Sequence, residues 1–232
     1  MTPARNVSLA IALLLLVGCD WMPGKPNPEN RWQPADSIVD FTTLYAENCR
    51  GCHGREGTMA GSIGMDQPTY LSFIPEAKLR DVIANGVPGS NMPAFLQARG
   101  GMLTEQQIDA LVTGILAAKP ADPAEDMPPY EAALGDAVAG RDAFGLSCAS
   151  CHGADGKGLP GKAGSVVAPA YLGMISDQYL RTITVAGRPE LGCPDFRNRI
   201  PGRAMTSDEV SNITAWLASN RVNEFGQPIP TN

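Results

Sequence analysis

Two pentapeptides of one form stand 99 residues apart in this chain: Cys49-Arg50-Gly51-Cys52-His53 and Cys148-Ala149-Ser150-Cys151-His152. Both spell C-x-x-C-H, and both are followed by Gly. Together they use four of the six cysteines and both histidines. Thiols at this spacing can each form a thioether with a vinyl group of haem, and the adjacent His then supplies an axial nitrogen to the iron. The plainer readings are a redox CxxC or a zinc site. Zinc would need a second ligand pair for each motif, and none exists. Two covalently bound c-type haems are therefore expected, attached through Cys49, Cys52, Cys148 and Cys151, with His53 and His152 as iron ligands.

A chain of 232 residues is long enough for two small domains. Its formal net charge of −6 leaves no electrostatic footprint for nucleic acid, and haem propionates would make it more acidic. Aromatics are scarce, whereas Gly and Pro are frequent. That composition suits small domains whose core is largely the porphyrin, with loops wrapped around it.

The N-terminus carries targeting signals. Arg5 precedes the apolar run Leu9 to Val17, which is too short to span a bilayer and reads as a signal peptide, residues 1–18. Its end, Leu16-Val17-Gly18-Cys19, resembles the lipobox of bacterial lipoproteins, which implies cleavage before Cys19 and lipidation of that thiol. Residues 19–36 are rich in proline (Pro23, Pro26, Pro28 and Pro34) and read as an extended tether. The expected location is a bacterial membrane, lipid-anchored, with the haem domains facing the periplasm.

The remainder is one unit written twice. After the haem motifs the offset between the copies becomes 101. Pro68-Thr69-Tyr70-Leu71 matches Pro169-Ala170-Tyr171-Leu172, Leu79-Arg80 matches Leu180-Arg181, Gly86 matches Gly187, and Pro93-Ala94-Phe95 matches Pro194-Asp195-Phe196. The last helix of each copy opens on a capping box, Thr104-x-x-Gln107 and Thr206-x-x-Glu209. Apolar stripes at helical spacing follow, Ile108, Leu111, Val112 and Ile115 in the first copy and Val210, Ile213, Trp216 and Leu217 in the second. Each unit reads as helix, CxxCH, Gly-rich loop, short helix, ligand loop and C-terminal helix. Pro120, Pro123, Pro128 and Pro129 mark a stiff linker. The expected domains are 37–119 and 135–232, with the linker at 120–134.

This pattern resembles class I cytochrome c domains over nearly all the chain beyond the leader. The resemblance implies an all-α fold of two tandem domains, in which N- and C-terminal helices cross beside each haem. One departure is visible: Gly114 stands where the second copy has Trp216, so the first copy's helices pack more loosely or another side chain fills the gap. The resemblance also implies that a carbonyl of a Pro loop, at Pro68 and Pro169, accepts the proximal imidazole N–H. Arg80 and Arg181 recur at matched positions and are either propionate partners or solvated helix residues.

Both histidines are committed, so the sixth ligands must come from elsewhere. In class I cytochromes a Met before Pro supplies it, and Asn91-Met92-Pro93 occupies that place in the first copy. Met59 and Met65 read as packing or surface residues. His/Met ligation raises the reduction potential. In the second copy the same six-residue step from Gly187 ends on Cys193, not Met. A coordinated thiol deprotonates, and a thiolate stabilises ferric iron, so this haem should lie at lower potential. Met205 is the alternative ligand, although its place just before the last helix, like that of Met102, makes it look like a repeated core residue. A site without a protein sixth ligand, with Cys193 merely nearby, is the third reading.

The expected function is a membrane-tethered dihaem cytochrome that passes electrons between redox proteins such as a quinol-oxidising complex, an oxidase, a reaction centre or a dehydrogenase; a carrier rather than a catalyst. Two alternatives stand beside it. Dihaem cytochromes of the thiosulfate dehydrogenase type are similar in pairing a His/Cys with a His/Met haem, and Arg188, Arg197, Arg199 and Arg203 around Cys193 could form an anion site. The other is a fixed cytochrome subunit of a respiratory or photosynthetic complex.

Overall fold

A computed structural model describes residues 24, 27, 28, 31–54, 61–122 and 126–222. The leader, the lipidation candidate Cys19 and Met59 lie outside the described residues. The chain divides into two units, Met1–Ser37 and Ile38–Asn232. In the first, the described part ends in a single 3₁₀ turn, Ala35–Ser37, in which Ser37 Oγ donates to the Pro34 carbonyl at 2.7 Å.

The second unit holds ten α-helices among the described residues and no strand, only isolated bridges. The first copy comprises α1 (Phe41–Asn48), α2 (Arg50–His53), α3 (Pro68–Phe73), α4 (Glu76–Asn85) and α5 (Glu105–Leu116). The second comprises α6 (Ala137–Ser147), α7 (Ala149–His152), α8 (Pro169–Leu172), α9 (Asp177–Ala186) and α10 (Ser207–Ser219). The all-α expectation holds. The sequence reading placed one short helix between motif and ligand loop; each copy has two.

Local chemistry starts these helices where the sequence indicates. Asp40 caps α1 by accepting from Thr43 N at 2.8 Å, and Asp136 caps α6 by accepting from Val138 N and Ala139 N at 2.7 and 2.9 Å. Both capping boxes form. Thr104 and Gln107 exchange bonds of 3.0 and 3.2 Å, and Thr206 and Glu209 bonds of 2.8 and 3.2 Å. Glu209 also takes both Nη groups of Arg203 at 2.6 and 2.7 Å. The Arg203 hydrogen bond foremost lowers the Glu209 carboxyl from 4.5 to about 2. Because the folded value is depressed, this contribution to stability is complete above pH 4.5 and is lost as pH falls toward 2. Acid unfolding of Glu209→Gln should therefore show a flatter stability decline across that window than the parent; equal slopes would refute the pairing.

The terminal helices of each copy cross, α1 on α5 and α6 on α10, and the two crossings are mirror solutions to one packing problem. A Cβ at Gly114 would lie 2.1 Å from Phe41 Cδ2, so the Phe41 ring of α1 fills the gap that the sequence left open. In the second copy the small residue is on the N-terminal helix. A Cβ at Gly140 would stand 1.9 Å from the Asn212 carbonyl oxygen and 2.9 Å from Trp216 Cβ. The Trp216 ring packs against Phe144 at a tilt of 46°, with centroids 4.3 Å apart.

Two apolar clusters form the core, and each borrows from the other copy. Ala186 is buried in the first cluster, with Ile183 packed against it, while Phe73 is buried in the second. Polar bonds reinforce this junction: Gln67 Nε2 donates to the Ala186 carbonyl at 2.8 Å, and Thr69 Oγ1 to Asp195 at 3.1 Å. The end of the linker is docked instead of acting as a free spacer. Tyr130 packs on Phe73 at 5.1 Å, its carbonyl accepts from Gln178 and Arg181, and Glu131 pairs with Lys78 at 2.5 Å.

Candidate haem sites

Each motif lies at the start of a short helix that follows the first long helix without a loop, α1 into α2 and α6 into α7. The amide of Cys49 still bonds back to Tyr45, and that of Cys148 to Phe144, at 2.9 and 2.8 Å. That continuity divides the two thiols of each pair. Cys49 and Cys148 are buried in the core clusters, whereas Cys52 and Cys151 are exposed. Tyr45 further secures the first motif, its hydroxyl donating to the Gly54 carbonyl at 2.9 Å, and burial pushes the Tyr45 phenol up to about 12.

Both imidazoles are oriented by a backbone carbonyl. His53 Nδ1 is 2.9 Å from the Ile63 oxygen and His152 Nδ1 is 2.8 Å from the Gly164 oxygen. With Nδ1 donating, Nε2 keeps its lone pair for iron, and the bond raises its basicity. The expected acceptors Pro68 and Pro169 are not used. Each opens a helix, α3 or α8, where its carbonyl serves the helix itself; the Pro169 oxygen takes the Gly173 N–H at 2.8 Å.

The ligand loops correspond in detail. Gly86 and Gly187 end α4 and α9 at φ +69° and +70°, a left-handed region that a side chain rarely adopts. A Cβ at Gly86 would meet the Met92 oxygen at 2.7 Å and Pro93 C at 2.6 Å; one at Gly187 would meet the Cys193 oxygen at 2.6 Å and the Pro194 oxygen at 2.4 Å. The Met92 carbonyl accepts from Val87 N at 2.9 Å and the Cys193 carbonyl from Arg188 N at 2.8 Å. The six-residue step therefore has a physical cause: the backbone of the candidate ligand residue rests on a bare glycine. Met92 is half-buried and packs on the cluster that contains Cys49 and Ile63.

Cys193 is half-buried, and its sulfur shares a hydrogen bond with the His152 ring. Burial alone would push the thiol up, but the His152 bond and the nearby charge of Arg199 bring it below its ordinary value. His152 is raised, foremost by that bond to Cys193. Burial, partly offset by the Ile63 carbonyl, lowers His53.

Of the remaining candidates, Met205 is a core residue. It is 3% exposed, and its amide donates to the Phe196 carbonyl at 2.9 Å. Its counterpart is not Met102, which is 76% exposed, but Leu103, at 5%, whose amide makes the same bond to Phe95 at 2.7 Å. Arg80 and Arg181 hold structure instead of lining a haem pocket: Arg80 pairs with Glu105 and Asp109, and Arg181 donates to the carbonyls of Pro129 and Tyr130 and to Ser211. Around Cys193, Arg188 pairs with Glu190, Arg197 with Asp195 and Arg203 with Glu209. Arg199 differs. Among the described residues it has no carboxylate partner: Nη2 donates to the Ile183 carbonyl at 2.9 Å, Nη1 reaches Cys148 Sγ at 3.6 Å, and Nε is buried without a partner there.

These residues fit covalent haem. Each copy offers two thiols at the attachment spacing, an imidazole pre-set to bind through Nε2, and a sulfur residue on a matching loop. The second adds a buried guanidinium N–H suited to an anion. Among the described residues no three or more His, Cys, Asp or Glu side chains converge as a metal cluster.

The family model for cbb3-type cytochrome c oxidase subunit III matches residues 36–113, and the cytochrome c family model matches residues 137–221. The dihydro-heme d1 dehydrogenase of Pseudomonas aeruginosa is 37% identical over 87 residues, covering 36% of this chain and 17% of the relative. This chain thus spans less than a fifth of that protein's length. A chain of the reducing HAO-like protein complex of Kuenenia stuttgartiensis aligns over 83% of this chain and 100% of its own length, at 18% identity and a TM-score of 0.47. With the two family models falling on the two repeats, the chain is identified as two tandem cytochrome c domains, the arrangement of a dihaem class I cytochrome c, with two covalent c-type haems.

Proposed function

We propose that this protein is an electron carrier lipid-anchored through Cys19 to a bacterial membrane, its haem domains facing the periplasm, with His53/Met92 ligation in the first domain and His152/Cys193 ligation in the second. The observation that carries the ligand assignment is the pair of matching loops, in which Gly86 supports Met92 as Gly187 supports Cys193. When bound, the haems supply one-electron chemistry at two potentials, the thioether side high and the thiolate side low. The chain's part is to fix both imidazoles through Ile63 and Gly164 and to present one sulfur to each site.

A terminal oxidase is the partner class we favour, supported by the first domain's match to an oxidase subunit family. The same match favours, as a second reading, permanent residence in such a complex. The sulfur-oxidising reading has less support, because three of the four arginines near Cys193 pair with carboxylates and Arg199 alone is left for an anion.

Low-temperature EPR of the oxidised protein tests the ligation. A thiolate low-spin species should be present and should vanish in Cys193→Ala, while Met92→Ala should open the first haem to cyanide. Identical spectra for parent and Cys193→Ala, or unchanged cyanide binding in Met92→Ala, would remove the corresponding ligand.

A further inference from the structure

The ligand loop of the second domain is anchored in the first domain. Asp195, two residues past Cys193, is buried, and its carboxylate knits the loop together. Its Oδ1 accepts from Arg197 N at 3.0 Å and Asn198 Nδ2 at 3.1 Å, and its Oδ2 from Arg197 Nε at 3.1 Å and from Arg197 Nη2. Thr69 of α3 joins this network from outside the loop. Its Oγ1 donates to Asp195 Oδ2 at 3.1 Å and accepts from Arg197 Nη2 at 3.3 Å, a double role that a hydroxyl can fill and an aliphatic group cannot. Gln67, which caps the same helix, donates through Nε2 to the Ala186 carbonyl at 2.8 Å. Ala186 is the last residue of α9, where carbonyls lack a partner inside the helix, and Gly187 beside it carries the Cys193 backbone. The chain is thus tied to α3 on both sides of Cys193.

The repeat does not carry this clamp in the other direction. At the offset of 101, Gln67, Thr69, Asp195 and Arg197 correspond to Ala168, Ala170, Ala94 and Leu96, whose side chains form no hydrogen bonds. The Met92 loop meets the second domain through Asn91 Nδ2 and Met174 Sδ, an exposed contact of 3.5 Å. Side-chain reach accounts for the difference. Met is an unbranched chain of several rotatable bonds, so its sulfur can follow a backbone that shifts. Cys carries its sulfur on Cβ, and χ1 alone places it. A loop that presents Cys must therefore have its backbone held. We propose that Gln67 and Thr69 of the first domain are positioning residues for the second haem, fixing the end of α9 and Asp195 so that Cys193 is presented to the iron. The inference rests on the His152/Cys193 ligation proposed above.

The test combines amide hydrogen exchange, EPR and cyanide binding on the full-length dihaem protein, in the parent, Thr69→Val and Thr69→Ser. In Thr69→Val, exchange across residues 188–199 should speed up about tenfold, the cost of a buried bond to a charged group. Cyanide should bind the second haem faster, and its thiolate signal should lose intensity. The first haem should keep its potential and its resistance to cyanide, although the substitution lies in its own domain; that result shows the domain folded and loaded. Thr69→Ser restores the hydroxyl and should return exchange and EPR to those of the parent. Loop exchange and a thiolate signal unchanged in Thr69→Val would overturn the proposal. So would equal disturbance of both haems, which would assign Thr69 to the stability of the first domain. A parent without a thiolate species would refute the ligation reading and with it the assignment to the second haem. Loop exchange that still speeds up in Thr69→Val would mark that failure as distinct from failure of the clamp.

Discussion

Cys193→Met should raise the reduction potential of the second haem by a large part of the roughly 0.8 V range over which axial ligands tune haem iron. The reasoning is local. The Cys193 backbone is already in the place that Met92 occupies in the first domain, its carbonyl accepting from Arg188 N as that of Met92 accepts from Val87 N. A thioether introduced there enters a loop of the correct shape, so the substitution changes the ligand and its charge while sparing the scaffold. A neutral, soft sulfur favours Fe(II), whereas a thiolate pushes electron density onto Fe(III). Spectroelectrochemistry should resolve two well-separated one-electron waves in the parent and two much closer waves in the variant. Waves that stay where they were would mean that Cys193 does not bind iron, since Met205, in the core, would then be unaffected by the change.

Gly140→Ala should destabilise the second domain by about 4 kcal/mol, at the extreme end of single-substitution effects. The added methyl would stand 1.9 Å from the Asn212 carbonyl oxygen and 2.5 Å from its carbon. Those atoms are main chain of α10, so relief requires the crossing helices to separate, which would also disturb the Trp216–Phe144 contact. Gly114→Ala in the first domain should cost less, roughly 1–3 kcal/mol, because the atoms nearest its methyl belong to the Phe41 side chain and not to main chain. Thermal unfolding followed by circular dichroism decides the matter. A loss near 4 kcal/mol corresponds to more than about 15 °C for a domain of this size. Equal, small shifts for both variants would show that the second crossing has slack.

Both predictions draw on the repeat, yet the repeat was legible to different depths. The haem motifs, the helix starts and the equivalence of Met92 and Cys193 could be read from the chain because each depends on residue type at short spacing. Asp40, Thr104, Asp136 and Thr206 cap helices through contacts two or three residues away. The glycine six residues before each sulfur is similarly local: a positive φ and a missing Cβ leave a compositional mark.

The carbonyls that orient the imidazoles were not legible, because every residue has a carbonyl and neither Ile63 nor Gly164 advertises its use. The resemblance pointed to Pro68 and Pro169, residues that instead open helices. The only available signal was the offset of 101, which pairs Ile63 with Gly164. Register also misled the reading of Met205, where the visible repeat of methionines hid that Leu103, one residue past Met102, is the buried partner.

Four arginines near Cys193 look alike in sequence. They differ only once the fold brings Glu190, Asp195 and Glu209 to three of them and leaves Arg199 with a buried N–H. The linker likewise reads as a spacer until Phe73, Gln178 and Arg181 are seen to hold Tyr130. The sequence by itself determined the attachment chemistry and the all-α repeat, since covalent spacing, capping and helical periodicity act over a few residues. Only the tertiary structure decided how each imidazole is oriented, which large side chain fills each helix crossing and which charge remains uncompensated. Those outcomes depend on atoms that chain folding brings together from distant positions, and no local pattern specifies them.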